Sequence, residues 1–346
     1  MKIFIDIGHP AHVHYFKNFI WQMEKKGHRF LLTARNRGCI FDLLNTYKFD
    51  YIDRGKGSKN ILGKILNMAK VDLLIYKAAK QFEPDLFLGF RSMYAAQVSR
   101  LMKKPCILFD DTEHSLEQRL LFMPFSEVIC TPSCFKKNLG KKQVKFNGYM
   151  ELAYLHPNYF KPNPSALKEL GIKKGKKFFI LRFVAWEASH DIGHKGLSIE
   201  IKRKLIKLLN KYGKVFISSE KPLLKEFEEY KLSVSPEKIH DILYYATMYI
   251  GEGATMASEA AILGTPSLYI SPLAKHLGNF SELSQRYGLV LVYEDLNKSL
   301  AEITPLFRNP NLKQEWQKKR ESLLQNKIDV TEWMIKFVEN YKIREN

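Results

Sequence analysis

The sequence predicts an α/β protein of two βα domains of similar size, each a parallel sheet covered by helices, with a central cleft between the halves. Three observations predict it. A chain of 346 residues exceeds the roughly 250 to 300 residues at which single cores stop growing. Short apolar runs alternate with helix-period segments along the chain, and that alternation argues for a parallel sheet with helices on both faces. The alternation also lapses once near the middle and then restarts.

KIFIDI has the length and composition of a strand, and VHYFKNFIWQMEKK repeats apolar residues at three- and four-residue spacing. HRFLLTA and a helix around FDLLNTY complete a βαβα unit. A long helical stretch from about Asn60 to Phe82 leads to strand DLFLG, helix SMYAAQVSRLM, strand CILFD and, past a short helix, strand EVIC. Runs that are apolar throughout are expected where both sheet faces are covered. From Lys145 to Pro164 the pattern lapses in KFNGYMELAYLHPNYFKPNP, which has three prolines and no clean period, the mark of a connection. Residues 1–150 are therefore expected to form the first domain and 151–165 a linker.

The second series begins with strand KFFILRF and helix IEIKRKLIKLLNKY. It continues through KVFIS, IHDILYYA, MYI, ASEAAIL, PSLYI, FSELSQRY and LVLV. Residues 166–330 are assigned to a second Rossmann-like domain, and 331–346 to a C-terminal helix packing back on the first.

Hydrophobic residues at 45% and charged residues at 26% exclude extensive disorder. Lys and Arg outnumber Asp and Glu by 55 to 36, a net charge of +19, so the surface field attracts anions. Nucleic acid, anionic lipid and phosphorylated metabolites all satisfy that field, but no RNA- or DNA-reading motif accompanies it, and nucleic acid is not an expected partner. Cys39, Cys106, Cys130 and Cys134 stand apart from any histidine pair at metal spacing, so reduced thiols and no metal site are expected. No stretch reaches the ~18 apolar residues of a membrane span. The expected location is the cytoplasm, with peripheral attachment to the inner face of the cell membrane as an option.

The stretch GEGATMASEA, residues 251–260, follows strand MYI and so lies at a strand's carboxyl end, where ligands of open parallel sheets bind. Gly251 and Gly253 are expected to allow positive φ and close backbone approach, and the helix starting near Ala254 offers unpaired N–H groups to an anion. Thr255 and Glu259, four residues apart, share a helix face. A nucleotide diphosphate suits this pattern: phosphates on the helix start and the Thr255 hydroxyl, ribose hydroxyls on the Glu259 carboxylate. Glu252 would repel a phosphate unless it points away.

The run GATMASEAAILGTPSLYISP, with NFSELSQRYG after it, resembles the C-terminal nucleotide-sugar site of GT-B-fold enzymes, in particular MurG-type glycosyltransferases and UDP-N-acetylglucosamine 2-epimerases. Gly253, Ala254, Ser258, Glu259, Gly264, Pro266 and Asn279 match that order. The N-terminal GHPAHVHYFKNFI is similar to the first strand-to-helix loop of those enzymes at His12 and Val13. With GHRFLLTAR and FNGYMELAYL the resemblance runs through most of the chain and is close to a prokaryotic family of unassigned function. It implies a GT-B-like fold, a nucleotide-sugar substrate without cofactor or metal, Glu259 as the ribose ligand and the helix start with Arg182 as the diphosphate site; Gly8, Gly253, Ala254, Thr255, Met256 and Asn279 are the further expected donor contacts.

His9, His12 and His14 follow the first strand. His9 or His12 is expected to donate to sugar or phosphate or to act as base for an acceptor hydroxyl, with capping or packing as the alternative. In DDTEHSLEQR, which also holds Glu113, His114 and Arg119, Asp110 is the candidate catalytic carboxylate and Asp111 or Thr112 the expected helix cap. Arg182 ends a strand and is expected to neutralise the diphosphate. The loop after it supplies Trp186, Glu187, Ser189, His190 and His194, and Ser218, Ser219 and Glu220 after the next strand are expected to contact phosphate or base edges, with a simple turn as the alternative. Lys56, Lys59, Lys64, Lys70, Lys77 and Lys80 interleave with Ile61, Leu62, Ile65, Leu66 and Met68, an amphipathic helix that either only covers the sheet or also meets anionic lipid, with LLFMPF as a second contact.

The expected function is transfer of a sugar from a nucleotide diphosphate to a glycan or lipid-linked acceptor, as in surface polysaccharide synthesis. The alternative is a nucleotide-sugar 2-epimerase, whose His-Val-Glu-Ala-Gly-like run DDTEHSLEQR does not match. A non-catalytic anion-binding protein is the third reading.

Overall fold

The structure is a computed structural model that describes all residues except 59–60, 114, 185–195, 220–221, 273, 295 and 342–346, and the side chains of a few neighbours, Ile61 and Leu62 among them. Two units divide the chain, Met1–Tyr159 with Ile328–Asn346, and Phe160–Lys327.

The first unit is built on β1 (Lys2–Ile7), α1 (Pro10–Lys25), β2 (Arg29–Ala34), α2 (Ile40–Thr46), β3 (Ile52–Asp53), α3 (Ile61–Phe82), β4 (Leu86–Phe90), α4 (Met93–Leu101), β5 (Cys106–Phe109), α5 (Leu116–Phe122), β6 (Val128–Pro132), β7 (Gln143–Phe146) and α6 (Leu152–Leu155). Its seven strands are parallel in the order β3-β2-β1-β4-β5-β6-β7. The inner strands are the apolar runs of the sequence, and Ile3, Phe4, Ile5, Phe87, Ile107 and Leu108 are all at most 1% exposed. The two strands without a sequence signal, β3 and β7, are the sheet's edges. Edge strands tolerate short length and polar residues because one side has no neighbour.

Residues 151–159, expected in the linker, belong to this unit, and 151–155 lie in its core. All four side chains of α6 are buried, and its Ala153 carbonyl accepts from Asn18 Nδ2 at 2.9 Å and Thr331 Oγ1 at 2.7 Å. The aromatic and apolar content of MELAYL outweighs the nearby prolines, since burying each such side chain gains roughly 1.5 to 3 kcal/mol.

The second unit runs β8 (Phe178–Phe183), α7 (Ile199–Leu209), β9 (Lys214–Ser219), α8 (Ile239–Tyr245), β10 (Met248–Gly251), α9 (Ala254–Ile262), β11 (Ser267–Ile270), α10 (Gly278–Gln285), β12 (Val290–Tyr293), α11 (Leu296–Arg308) and α12 (Leu312–Asn326). Its five parallel strands follow the order β12-β11-β10-β8-β9. Helix α12 closes the C-terminal end of α9: Gln317 Nε2 donates to the Leu263 and Gly264 carbonyls and Arg320 Nε to the Ile262 carbonyl. Those are helix-end acceptors that otherwise lack partners. The last helix, α13 (Val330–Glu339), returns to the first unit, where it packs on α1 and α6 with Asp329 as its N-cap. No helix among the described residues is long and apolar enough to cross a membrane.

Candidate functional site

In the second unit the site lies at the carboxyl ends of β8, β9 and β10. Gly251 and Gly253 are needed for close approach and not for positive φ: Gly253 has φ −83, and Gly251 has no left-handed backbone. A Cβ on Gly251 would lie 2.6 Å from the Arg182 carbonyl oxygen, and one on Gly253 2.8 Å from Arg182 Cγ. Contacts under 3 Å force something to shift, so Gly251 lets β10 lie close against the Arg182 backbone of β8, and Gly253 leaves room for the Arg182 side chain. Arg182 then donates from Nη1 to Ser218 Oγ at 2.7 Å, which fixes the guanidinium at the end of β8 beside the end of β9.

Gly253 is the N-cap of α9; no side chain caps this end and no acid sits in the first turn. Ala254, Thr255 and Met256 are half-exposed while residues 257–262 are buried. The accessible part of the helix is thus its partly positive start. Glu252, which would oppose an anion there, is turned away: its two carboxylate oxygens accept from Val184 N at 3.3 Å and Leu197 N at 2.7 Å, and it is 5% exposed.

Glu259 is 4% exposed, and its Oε1 lies 3.0 Å from His240 Nε2 on α8. This is the partner that a carboxylate in a small, apolar helix requires; the sequence analysis did not single out His240, which stands beside Asp241 at the start of its helix. Ser258, part of the family-like run, donates to the Ala254 and Thr255 carbonyls within α9. Asn279 Oδ1 accepts from Phe280 N at 2.9 Å at the start of α10.

In the first unit a second cluster lies along the carboxyl edge of the sheet. His9 caps α1, its Nδ1 accepting from Ala11 N at 3.2 Å. His12 Nδ1 accepts from Gly8 N at 3.2 Å, so the ring's proton sits on Nε2 in this arrangement. Burial, reinforced by His9, Arg91, Arg54 and Arg37, holds the His12 pKa well below its ordinary value. A neutral ring whose lone pair is engaged by Gly8 donates a hydrogen bond and does not take a proton. Of the two expected roles the geometry favours the donor. His14 is buried against Tyr154, ring centroids 5.3 Å apart.

Asp110 is 1% exposed and accepts from Thr112 N at 2.9 Å, with Arg119 Nε 3.4 Å and Arg91 Nε 3.5 Å away. Enclosed between two guanidiniums, it anchors them and has no open face for an acceptor hydroxyl. Neither Asp111 nor Thr112, the expected caps, is the N-cap of α5: that position is Ser115, which makes no side-chain cap bond. The half-buried Asp111 carboxylate accepts from Thr112 Oγ1 at 2.9 Å, and burial, with Asp110 as the next cause, raises its pKa to about 6.

Arginines complete this edge and were not anticipated. Arg54 Nε lies 2.8 Å from Asp6 Oδ1, and Asp6 also accepts from Thr33 Oγ1 and Ser92 Oγ. Asp6 carries a legible signal, a lone charge inside an apolar strand. Arg91, with φ 51, has a left-handed backbone uncommon for a non-glycine residue. His114, Trp186, Glu187, Ser189, His190, His194, Glu220 and Lys59 lie outside the described residues, as do the side chains of Ile61 and Leu62.

A family model described as "Protein of unknown function (DUF354)" matches residues 1–336. The chain belongs to this family. An uncharacterised protein of Methanocaldococcus jannaschii is 28% identical over 283 residues, covering 79% of this DUF354 chain and 82% of that protein. Among solved structures, S. aureus MnaA with UDP matches at TM-score 0.70 and 13% identity, covering 98% of this chain and 96% of that one. UDP-GlcNAc 2-epimerase from Neisseria meningitidis bound to UDP-GlcNAc matches at 0.65 and 14%, covering 98% and 100%. Acinetobacter baumannii MurG matches at 0.60 and 14%, covering 98% and 99%. The DUF354 chain thus has the GT-B-like fold that glycosyltransferases and 2-epimerases share.

Proposed function

We propose that this DUF354 protein is a glycosyltransferase that moves a sugar from a nucleotide diphosphate to a glycan or lipid-linked acceptor in surface polysaccharide synthesis. The observation that carries the reading is the bare, half-exposed start of α9 beside the fixed Arg182 guanidinium, with Glu252 turned away. The α9 N–H groups and Thr255 take the diphosphate, Arg182 offsets the charge that develops on the leaving group, and Glu259 orients the ribose. On the acceptor side His12 donates through Nε2, and Asp111 removes the hydroxyl proton in place of Asp110.

A lipid-linked acceptor is supported by the face formed by α3, α4 and α5, where α4 packs on both others. Of the ten exposed large hydrophobic residues in the described chain, eight lie between residues 65 and 125, among them Leu66 at 72% and Leu120 at 63%. Lys64, Lys70, Lys77 and Lys80 stand exposed along α3. Apolar side chains edged by lysines suit the inner face of an anionic membrane, where each lysine contributes roughly 1 kcal/mol. The contiguity of this face favours membrane contact over mere sheet cover.

The second reading is a 2-epimerase of UDP-N-acetylhexosamine type. Asp111, with its pKa raised to about 6, is the observation that favours it, because such a carboxyl can both take and return a proton. Incubation with UDP-, GDP- and CMP-sugars, with and without lipid-linked acceptor, separates the two: acceptor-dependent release of nucleotide supports transfer, and a new sugar nucleotide without acceptor supports epimerisation.

A further inference from the structure

In the first sheet the strands end in step. Ile7 pairs with Ala34, and Ala34 with Asp53. One residue on, Arg35 N donates to the Ile7 carbonyl, Arg54 N to the Ala34 carbonyl and Arg91 N to the Phe109 carbonyl. Arg54, Arg35, the Gly8–His9 turn and Arg91 therefore stand side by side along one edge. The packing is close: a Cβ on Gly8 would lie 3.3 Å from Arg54 Nη2, and one on Gly57 2.1 Å from Arg35 Nη2.

Two buried carboxylates of this edge are already engaged. Asp6 holds Arg54, and Asp110 holds Arg91 and Arg119. Among the described residues no carboxylate forms an ion pair with Arg35, which is half-buried, or with the exposed Arg37. Burial and the neighbouring Arg37 and Arg54 charges lower the Arg35 pKa, with Tyr94 and Asp6 offsetting them only in part, so positive charge is in excess around it. Partly buried charge without a counterion is costly. Two guanidiniums that form no ion pair match the roughly −1.5 to −2 charge of a phosphomonoester, whose oxygens suit the planar donor fork of arginine.

We propose that Arg35, Arg37, Arg54 and Arg91, with the Nε2–H groups of His9 and His12, hold a phosphate carried by the acceptor. This rests on the transferase reading and names the acceptor's chemistry: a phosphorylated molecule, bound in the first unit apart from the donor's diphosphate. Lipid-borne and soluble phosphates share that chemistry.

The test is calorimetric titration of the full chain at saturating UDP with two probes: glycerol phosphate in solution, and a polyprenyl monophosphate in phosphatidylcholine vesicles. Binding of either supports the proposal, and the tighter probe names the source. Arg35→Gln and Arg37→Gln remove charges that hold no carboxylate, so folding is retained, and each weakens the bound probe about tenfold while UDP affinity stays unchanged. Arg35→Lys, which keeps the charge and loses the fork, weakens it less. Equal probe binding by wild type and the double variant, displacement of the probe by UDP, or binding of neither probe overturns the proposal. Arginine-dependent probe binding in a protein that takes no nucleotide supports the phosphate site and counts against the donor reading alone.

Discussion

His240 Nε2 lies 3.0 Å from Glu259 Oε1, with both side chains at most 6% exposed. The contact joins α8 to α9 and sets the carboxylate's direction. Removing one partner of a buried polar pair costs roughly 1 to 3 kcal/mol. His240→Ala should therefore lose about that much in denaturant unfolding, and the His240→Ala, Glu259→Ala double variant should lose clearly less than the sum of the two. Additive losses would show that the two residues act independently.

Glu252 makes a second, separate prediction. It accepts from the backbone on both sides of residues 185–195, at Val184 and Leu197. Glu252→Gln keeps one acceptor oxygen, whereas Glu252→Ala removes both and should cost roughly 1 to 3 kcal/mol. Because the carboxylate faces away from the start of α9, Glu252→Gln should change nucleoside diphosphate affinity by less than about twofold, or ~0.4 kcal/mol. A strong gain in affinity would mean that Glu252 repels the phosphates after all.

Much of the fold was legible because its inner strands are mainly apolar runs of ordinary strand length, and their order of βα units follows directly. The parts that were not legible have physical reasons. β3 and β7 are edge strands, one of only two residues and one half-polar, so neither shows a period. MELAYL was masked by neighbouring prolines although its side chains are core. At the second unit's site GEGATMASEA was readable as a ligand loop, but the reason for its glycines was not, because Arg182 reaches them from a strand some seventy residues away in sequence. At the first unit's site the histidines stood out by type, while Arg35, Arg54 and Arg91 converge only through strand register.

Lys313 links stability to pH. It donates to the Tyr244 carbonyl and Thr265 Oγ1, and burial lowers its pKa to about 7. Between about pH 7 and the ordinary lysine value near 10.4 the unfolded chain holds a proton that the folded one has released. Over that window stability rises with pH from this group, at a limiting slope of about 1.4 kcal/mol per pH unit. Urea unfolding of wild type against Lys313→Met should show the wild type gaining relative stability from pH 7 to pH 9. A constant difference would contradict the lowered pKa.

The α3–α5 face predicts vesicle binding. Leu66→Glu and Leu120→Glu alter residues 72% and 63% exposed, so folding should be unaffected. Each replaces an inserting side chain with a repelled charge and should weaken sedimentation with anionic vesicles by about tenfold or more, the loss of ~1.5 kcal/mol of apolar burial. Undiminished binding would remove this face from the membrane.

The most direct measurement for the central claim, that the start of α9 holds a nucleotide diphosphate, is calorimetric titration of UDP, dTDP and GDP into wild type and Thr255→Glu. An acid in the first turn favours the helix dipole, so the variant should fold as well as wild type while its charge opposes the phosphates. At least one diphosphate should bind wild type far better than its free nucleoside does, and Thr255→Glu should weaken it by about a hundredfold, ~2.7 kcal/mol. Binding of no diphosphate by wild type, or equal binding by the variant, would contradict that claim.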